Sequence, residues 1–167
     1  MRNFEIKVTL PDKQTVIKRL KIMGAQYQYT MQQCDYYFVI GEGKEKLRVI
    51  DDQEYQLIIY RREEKHGRKD SHYDIKELSA EDKDRLLNQR HVIKQVEKTR
   101  ELWLLNNTRV HIDYVKCLGD FLELETVVRD ISVEVGENEF RTVVDKLGID
   151  PARSVAASYS DLVPILA

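Results

Sequence analysis

The sequence predicts an α+β protein built mainly from antiparallel strands. Three observations carry that expectation. Apolar and polar residues alternate in one run after another, the period of a strand with two unlike faces. A few amphipathic stretches with capping residues interrupt those runs. The connections are short and carry Gly, Asn or Asp. A chain of 167 residues suits one domain, 1–167, with a sizeable core.

The first run, "FEIKVTL" (4–10), alternates strictly. Phe4, Ile6 and Val8 share one face, and Glu5, Lys7 and Thr9 share the other. Pro11 opens a helix over 12–23, with Val16, Ile17 and Leu20 on one side and Gly24 as its stop. Strands follow at 35–40, 45–51, 55–63 and 71–78, with a Gly-Glu-Gly turn at 41–43 and a polar surface loop at 62–70. A helix over 79–90 takes Ser79 as its N-cap. Strands at 92–105, 108–115 and 120–128 are joined by Asn106-Asn107 and by the turn around Gly119. A last amphipathic helix spans 137–148 and ends on Gly148, and the tail 158–163 reads as a short final strand. Trp103 reads as core, and the basic residues Lys13, Lys18, Arg19 and Lys21 as a solvated helix face.

Composition narrows the function classes. Charged residues make up 34% of the chain, yet the formal net charge is only -2. That balance argues against bulk electrostatic binding to nucleic acid or to an anionic membrane. Cys34 and Cys117 are isolated and the four histidines show no HExxH spacing, so neither a disulfide framework nor a zinc site is expected. The N-terminus lacks a long apolar run and a cleavage pattern, and no segment has the length of a membrane span. A soluble, cytoplasmic protein is expected.

The alternating strands pose one question. Lys46 and Arg48 share a face, as do Lys98 and Arg100, and Arg109, His111 and Asp113, and Glu123 and Glu125. Two arrangements satisfy this pattern. In one, a sheet has a packed face and a wet face. In the other, the sheet closes into a barrel with the charged face inward, where the charges pair with one another or with a ligand. Carboxylates on such a face suit a hard cation, and Lys and Arg suit phosphate oxygens. Alternation alone does not choose between them.

Ordered motifs do. "NFEIK" (3–7), "DYYF" (35–38), "KLRV" (46–49), "LIIYRRE" (57–63), "VEKTRELW" (96–103), "TRVHIDYVKCLGDFLELE" (108–125) and "SYSDL" (158–162) together resemble the CYTH superfamily, the triphosphate tunnel metalloenzymes, and within it the class IV adenylyl cyclase branch. The resemblance implies a closed antiparallel β-barrel of eight strands, a tunnel, with flanking helices. It implies ATP or another triphosphate as partner, Mg²⁺ or Mn²⁺ as cofactor, and a homodimer as a compatible assembly. Carried over by position, Glu5, Asp113, Glu123 and Glu125 would hold metal, with Glu123, Glu125 and Asp113 serving catalysis. Lys7, Arg48, Lys98, Arg100 and Arg109 would bind substrate. Arg61 or Arg62 would add a cation, and the place of Arg61 after Tyr60 favours Arg61.

Two positions depart from the family pattern. Asn3 replaces the first Glu of ExExK, which removes a charge from the metal side. Ile50 stands where a second Arg often follows Arg48, which removes a phosphate contact. His111 reads as a hydrogen-bonded wall residue, and Asp113 could also orient Arg109. The implied activity is adenylate cyclase, a phosphorus-oxygen lyase. Hydrolysis of inorganic, thiamine or nucleoside triphosphate, or nucleotide binding without turnover, would use the same parts.

Overall fold

A computed structural model describes residues 2–41, 43–65 and 68–166; the side chains of residues 2, 62–65 and 68–73 lie outside the description. The elements run β1 (Arg2–Thr9), α1 (Lys13–Ile22), β2 (Gln26–Val39), β3 (Gly43–Ile50), β4 (Glu54–Lys65), β5 (Arg68–Leu78), α2 (Ala80–Gln89), β6 (Lys94–Leu105), β7 (Thr108–Val115), β8 (Gly119–Val128), α3 (Val133–Leu147) and α4 (Tyr159–Leu162). The strands form one sheet in the order β1-β8-β7-β6-β2-β3-β4-β5.

That order corrects the expected closed barrel. Among the described residues the end strands β1 and β5 do not pair with each other, so the eight-stranded sheet is open. At β1 the outer edge is used locally instead. Val8 bridges Ser154, and the Val155 N–H donates to the Lys7 carbonyl at 2.7 Å. An edge strand blunted in this way needs no further partner. Alternation has the same period in open and closed sheets, so the sequence pattern did not report closure.

The chain divides into two compact units, Met1–Met31 with Thr99–Ser158, and Gln32–Lys98 with Tyr159–Ala167. In the first unit the apolar faces of β1, β7 and β8 meet α1 and α3. Val8, Val110, Ile112, Leu122 and Leu124 pack with Leu20, Val143, Val144 and Leu147. Trp103 joins this core as expected, and its indole N–H donates to Glu101 at 2.8 Å. In the second unit Phe38, Leu47 and Val49 pack with Leu86, Leu87 and Val92.

Local chemistry sets the helix ends. Asp12 caps α1 by accepting from the Thr15 N–H, and Ser79 caps α2 through the Asp82 N–H. Helix α3 starts about a turn earlier than its apolar pattern, because Ser132 is the N-cap and accepts from the Val135 N–H. It ends at Gly148, whose φ of 69° is left-handed. The Arg19 guanidinium donates to the Leu147 carbonyl beside it at 2.8 Å. Arg19 therefore caps a helix and is not part of a purely solvated face.

Three other expectations change. Strand β2 begins at Gln26, nine residues before the apolar run that revealed it. In its first half Tyr27, Tyr29 and Met31 alternate with Gln26, Gln28 and Thr30, but no side chain before Gln33 is buried, so the alternation marks no packed face. Within the segment expected as a surface loop, residues 62–65 end β4 and residues 68–70 begin β5, while 66 and 67 lie outside the described residues. The tail expected as a strand forms the helical turn α4, held by side-chain contacts described below.

Candidate functional site

The first unit carries a carboxylate-rich group. Register across β1, β8 and β7 sets side chains in rows on one face. Glu5 is opposite Glu125, which is opposite Arg109; Lys7 is opposite Glu123, which is opposite His111; Asp113 is opposite Phe121. Like charges directly opposite each other on a sheet repel, so the Glu5–Glu125 pair needs neutralising. Arg109 supplies part of that, 2.9 Å from Glu125. The Asn3 amide nitrogen donates to the other Glu125 oxygen at 2.6 Å. Asn3 Oδ1 is left buried with no hydrogen-bond partner.

The carboxyls respond to these surroundings. Glu5 keeps substantial exposure, yet its pKa is raised, by burial first and then by the charges of Glu125 and Glu123, against Lys7 and Arg109. Burial pushes Glu123 upward as well, but His111 and Arg100 outweigh it and the net shift is downward. His111 Nδ1 lies 3.8 Å from Glu123, beyond hydrogen-bond reach, and has no hydrogen-bond partner. His111 nonetheless stands beside Glu123 and helps to lower its pKa.

Asp113 differs from its expected role. It is 0% exposed, and its two oxygens accept from Arg100 Nε and a terminal Arg100 nitrogen at 2.8 and 2.7 Å. A carboxylate committed to a two-pronged arginine pair is poorly placed to hold a metal. Asp113 orients Arg100, not Arg109. Lys7 donates to the Ala157 carbonyl at 3.2 Å.

Among the described residues, no three Asp, Glu, His or Cys side chains are already arranged as a metal centre. The donor set nevertheless suits a hard cation. Glu5, Glu123 and Glu125 are close enough to raise the Glu5 pKa, and the buried Asn3 carbonyl oxygen has no donor.

The second unit carries a cation-rich group. Asp35 is 2% exposed and accepts from Lys46 Nζ, Arg48 Nε and a terminal Arg48 nitrogen, each at 2.8 Å. Burial alone would raise its pKa. The Arg48 hydrogen bond and the charges of Lys46, Arg48 and Lys98 hold it well below the usual carboxylate range. Burial lowers the Lys46 pKa in spite of Asp35. Lys98 is 8% exposed and sits 5.3 Å from the centre of the Tyr159 ring.

Helix α4 is tied to the same cations. Lys44 donates to the Ser160 hydroxyl at 3.0 Å and lies 3.8 Å from Asp161, while Lys94 donates to the Ser160 carbonyl at 2.6 Å. Among these residues the cations outnumber the carboxylates.

Arg48, Lys98, Lys7, Arg100 and Arg109 thus lie on the charged strand faces where alternation put them. Arg61 does not. Arg61 is exposed and pairs with Gly43, whereas Lys46 and Arg48 pair with Ile58 and Gln56. The cation face of β4 therefore takes even-numbered positions, and Arg61 is on the opposite face. Position 62 has the matching backbone parity; its side chain lies outside the described residues. Ile50 faces Gln33 in the row next to Arg48 and Asp35, so the charge absent there is absent from the cation face itself. Asp35, Lys44 and Lys94 escaped sequence reasoning as site residues. The one available signal was an aspartate inside the otherwise apolar run "CDYYFVI".

An open antiparallel sheet with helices on its apolar faces, and with carboxylates and cations grouped on its charged strand faces, defines an α+β class of fold. Comparison with known proteins makes this specific. The CYTH domain family matches residues 1–159, and the chain belongs to that family. It is 28% identical over 176 residues to a Methanocaldococcus jannaschii protein named "Putative adenylate cyclase", covering 97% of this chain and 98% of that one. It resembles the PH1012 protein from Pyrococcus horikoshii at a TM-score of 0.79 and 20% identity, over 97% of this chain and 99% of the other. A Hippeastrum structure, described as a putative adenylyl cyclase that "reveals a dominant triphophatase activity", aligns at a TM-score of 0.67 and 13% identity, over 97% of this chain and 94% of that one. Enzymes of this family are thus named for triphosphate chemistry. Among the described residues no helix is long and apolar enough to cross a membrane.

Proposed function

We propose that this chain is a divalent-metal-dependent enzyme that converts ATP to cyclic AMP and pyrophosphate. The observation that carries the reading is the grouping of Lys46, Arg48 and Lys98 about the buried Asp35. Such a group is stabilised by a polyanion. The name of the Methanocaldococcus jannaschii relative supports the choice of a cyclase.

In this reaction the ribose 3′-oxygen forms a bond to the α-phosphorus. The bond from that phosphorus to the β-bridging oxygen breaks, and pyrophosphate leaves. Mg²⁺ or Mn²⁺, held by Glu5, Glu123 and Glu125 with the Asn3 carbonyl oxygen, would neutralise phosphate charge and acidify the attacking hydroxyl. Lys7, Arg100 and Arg109, of the same unit as these carboxylates, would donate to phosphate oxygens and absorb the charge that builds on them. Asp113 acts as a positioning residue by fixing the Arg100 fork.

A second reading, triphosphate hydrolysis, is favoured by the dominant activity ascribed to the Hippeastrum protein. There a water attacks the γ-phosphorus, the bond from that phosphorus to the β,γ-bridging oxygen breaks, the diphosphate leaves, and orthophosphate is released. One assay separates the two. Purified protein is incubated with ATP, tripolyphosphate or thiamine triphosphate and Mg²⁺ or Mn²⁺. Cyclic AMP with pyrophosphate is the expected product, and orthophosphate assigns the hydrolase. Binding without turnover assigns a nucleotide-binding module, and neither binding nor turnover overturns the triphosphate reading.

A further inference from the structure

The two end strands of the sheet differ at their outer edges. Beside β1, Ser154 bridges Val8 and the Val155 N–H donates to the Lys7 carbonyl. Among the described residues β5 pairs with β4 alone, from Arg68 to Leu78. An open strand edge is a row of backbone donors and acceptors ready to pair with another strand. Proteins discourage such pairing with a proline, a bulge or edge charges. Strand β5 has no proline, and its register with β4 runs without a bulge. Only its charges are left to discourage a partner, and their order decides whether they do.

Asp74, Ile75, Lys76 and Glu77 are all exposed, Ile75 by 59%. Ile75 lies opposite Ile58, which is 4% exposed, so an apolar row runs from the packed sheet to its uncovered edge. A second copy of this strand would approach antiparallel about a two-fold axis, with residues opposite one another symmetrically about that axis. An axis at Asp74, Lys76 or Glu77 would set that residue against its own like charge. An axis at Ile75 would set the isoleucine against itself. Asp74 of each copy would then stand opposite Lys76 of the other. Opposite charges directly across a strand pair stabilise it, and like charges destabilise it. The charges beside Ile75 thus repel a shifted partner and attract one centred on Ile75.

We infer that the outer edge of β5 is a self-association surface, where a second copy of this chain adds its own β5 about a two-fold axis at Ile75. Residues 72–78 of each strand pair, and two sheets join edge to edge. No residue of the proposed triphosphate site takes part, so this surface stands or falls separately from that reading. One strand per copy is a small interface, and a dissociation constant of about 10 μM is expected.

The test is sedimentation velocity on the full chain between about 1 and 300 μM. The unaltered protein is expected to pass from monomer to dimer over that range. Asp74→Lys brings two lysines together on each side of the axis, and Lys76→Glu brings two carboxylates together. Each alone is expected to weaken the dimer about tenfold. Both side chains are exposed, so each variant should fold, which its far-UV spectrum checks. Mixed one to one, the two variants restore opposite charges across the axis, and a dimer holding one of each is expected to form with nearly the original affinity. Ile75→Lys, which sets two lysines against each other on the axis itself, is a further variant with the same expected weakening. A monomer at every concentration overturns the inference. A dimer that none of these variants weakens places the interface elsewhere and overturns it too, as does a loss in two folded variants that their mixture fails to restore.

Discussion

Asp35 in the second unit and Glu5 in the first are carboxylates on charged strand faces, and their surroundings treat them in opposite ways. Asp35 is buried, accepts three charge-assisted hydrogen bonds, and titrates well below its ordinary value. Glu5 is more exposed, faces Glu125 across the sheet, and titrates above its ordinary value. In one region cations surround a buried carboxylate. In the other, two carboxylates face each other across the sheet. The same kind of group therefore titrates in opposite directions because its neighbours differ in charge.

The largest effect on this contrast should come from Asp35→Ala. It leaves Lys46 and Arg48 buried without their acceptor and is expected to lower unfolding free energy by about 3–5 kcal/mol in a denaturant titration. Added tripolyphosphate should recover part of that loss by binding the freed cations. A loss below about 1 kcal/mol would show that the group is not internally neutralised.

Next comes Asn3→Glu. The new carboxylate meets Glu125 in place of an amide that donates to it, so metal-free stability should fall by about 1–2 kcal/mol. Mg²⁺ should then raise the melting temperature more than it does in the unaltered protein. An unchanged Mg²⁺ response would remove Asn3 from the metal surroundings.

Acidity should separate the regions by sign. The Asp35 pKa is depressed, so its contribution is present above the ordinary value of 3.8 and is lost as pH falls toward its folded value. The Glu5 pKa is raised, so its contribution is present below the ordinary value of 4.5 and is lost as pH rises through its folded value. Glu5→Gln is expected to flatten the loss of stability above pH 4.5 while leaving the acid limb intact. A flat profile in the unaltered protein would remove the contrast.

The smallest effect is Glu5→Gln on stability near neutral pH in the absence of metal. Relief of the repulsion with Glu125 should stabilise by at most about 0.5 kcal/mol, because the site is solvent-screened. A destabilisation instead would mean that Glu5 already has a compensating partner.

Strand positions were legible because a period of two is written directly into "FEIKVTL", "TRVHIDYV" and "DFLELETVV". The helices over 79–90 and at Gly148 were legible through Ser79 and the glycine stop. The first half of β2 was not legible, because Tyr27 and Tyr29 alternating with glutamines are exposed and mark no packed apolar face. The charged face was visible as parity, but parity names candidates without naming their partners. The family resemblance put Asp113 among the metal ligands, and in the structure Arg100 bonds both of its oxygens. For Arg61 and Arg62 parity offered no anchor. Choosing between adjacent residues needs the pairing of Arg48 with Gln56, which fixes the phase of β4.

By itself, then, the sequence determined which residues could share a face, where the helices stop, and the family to which the ordered motifs point. These are properties of local periodicity and residue chemistry. Only the tertiary structure decided that the sheet is open, that Asp35 anchors the cations, that Asp113 serves Arg100, and that Asn3 holds Glu125 while keeping an unmatched oxygen. Each depends on contacts between residues far apart in the chain, whose distances and burial no local pattern specifies.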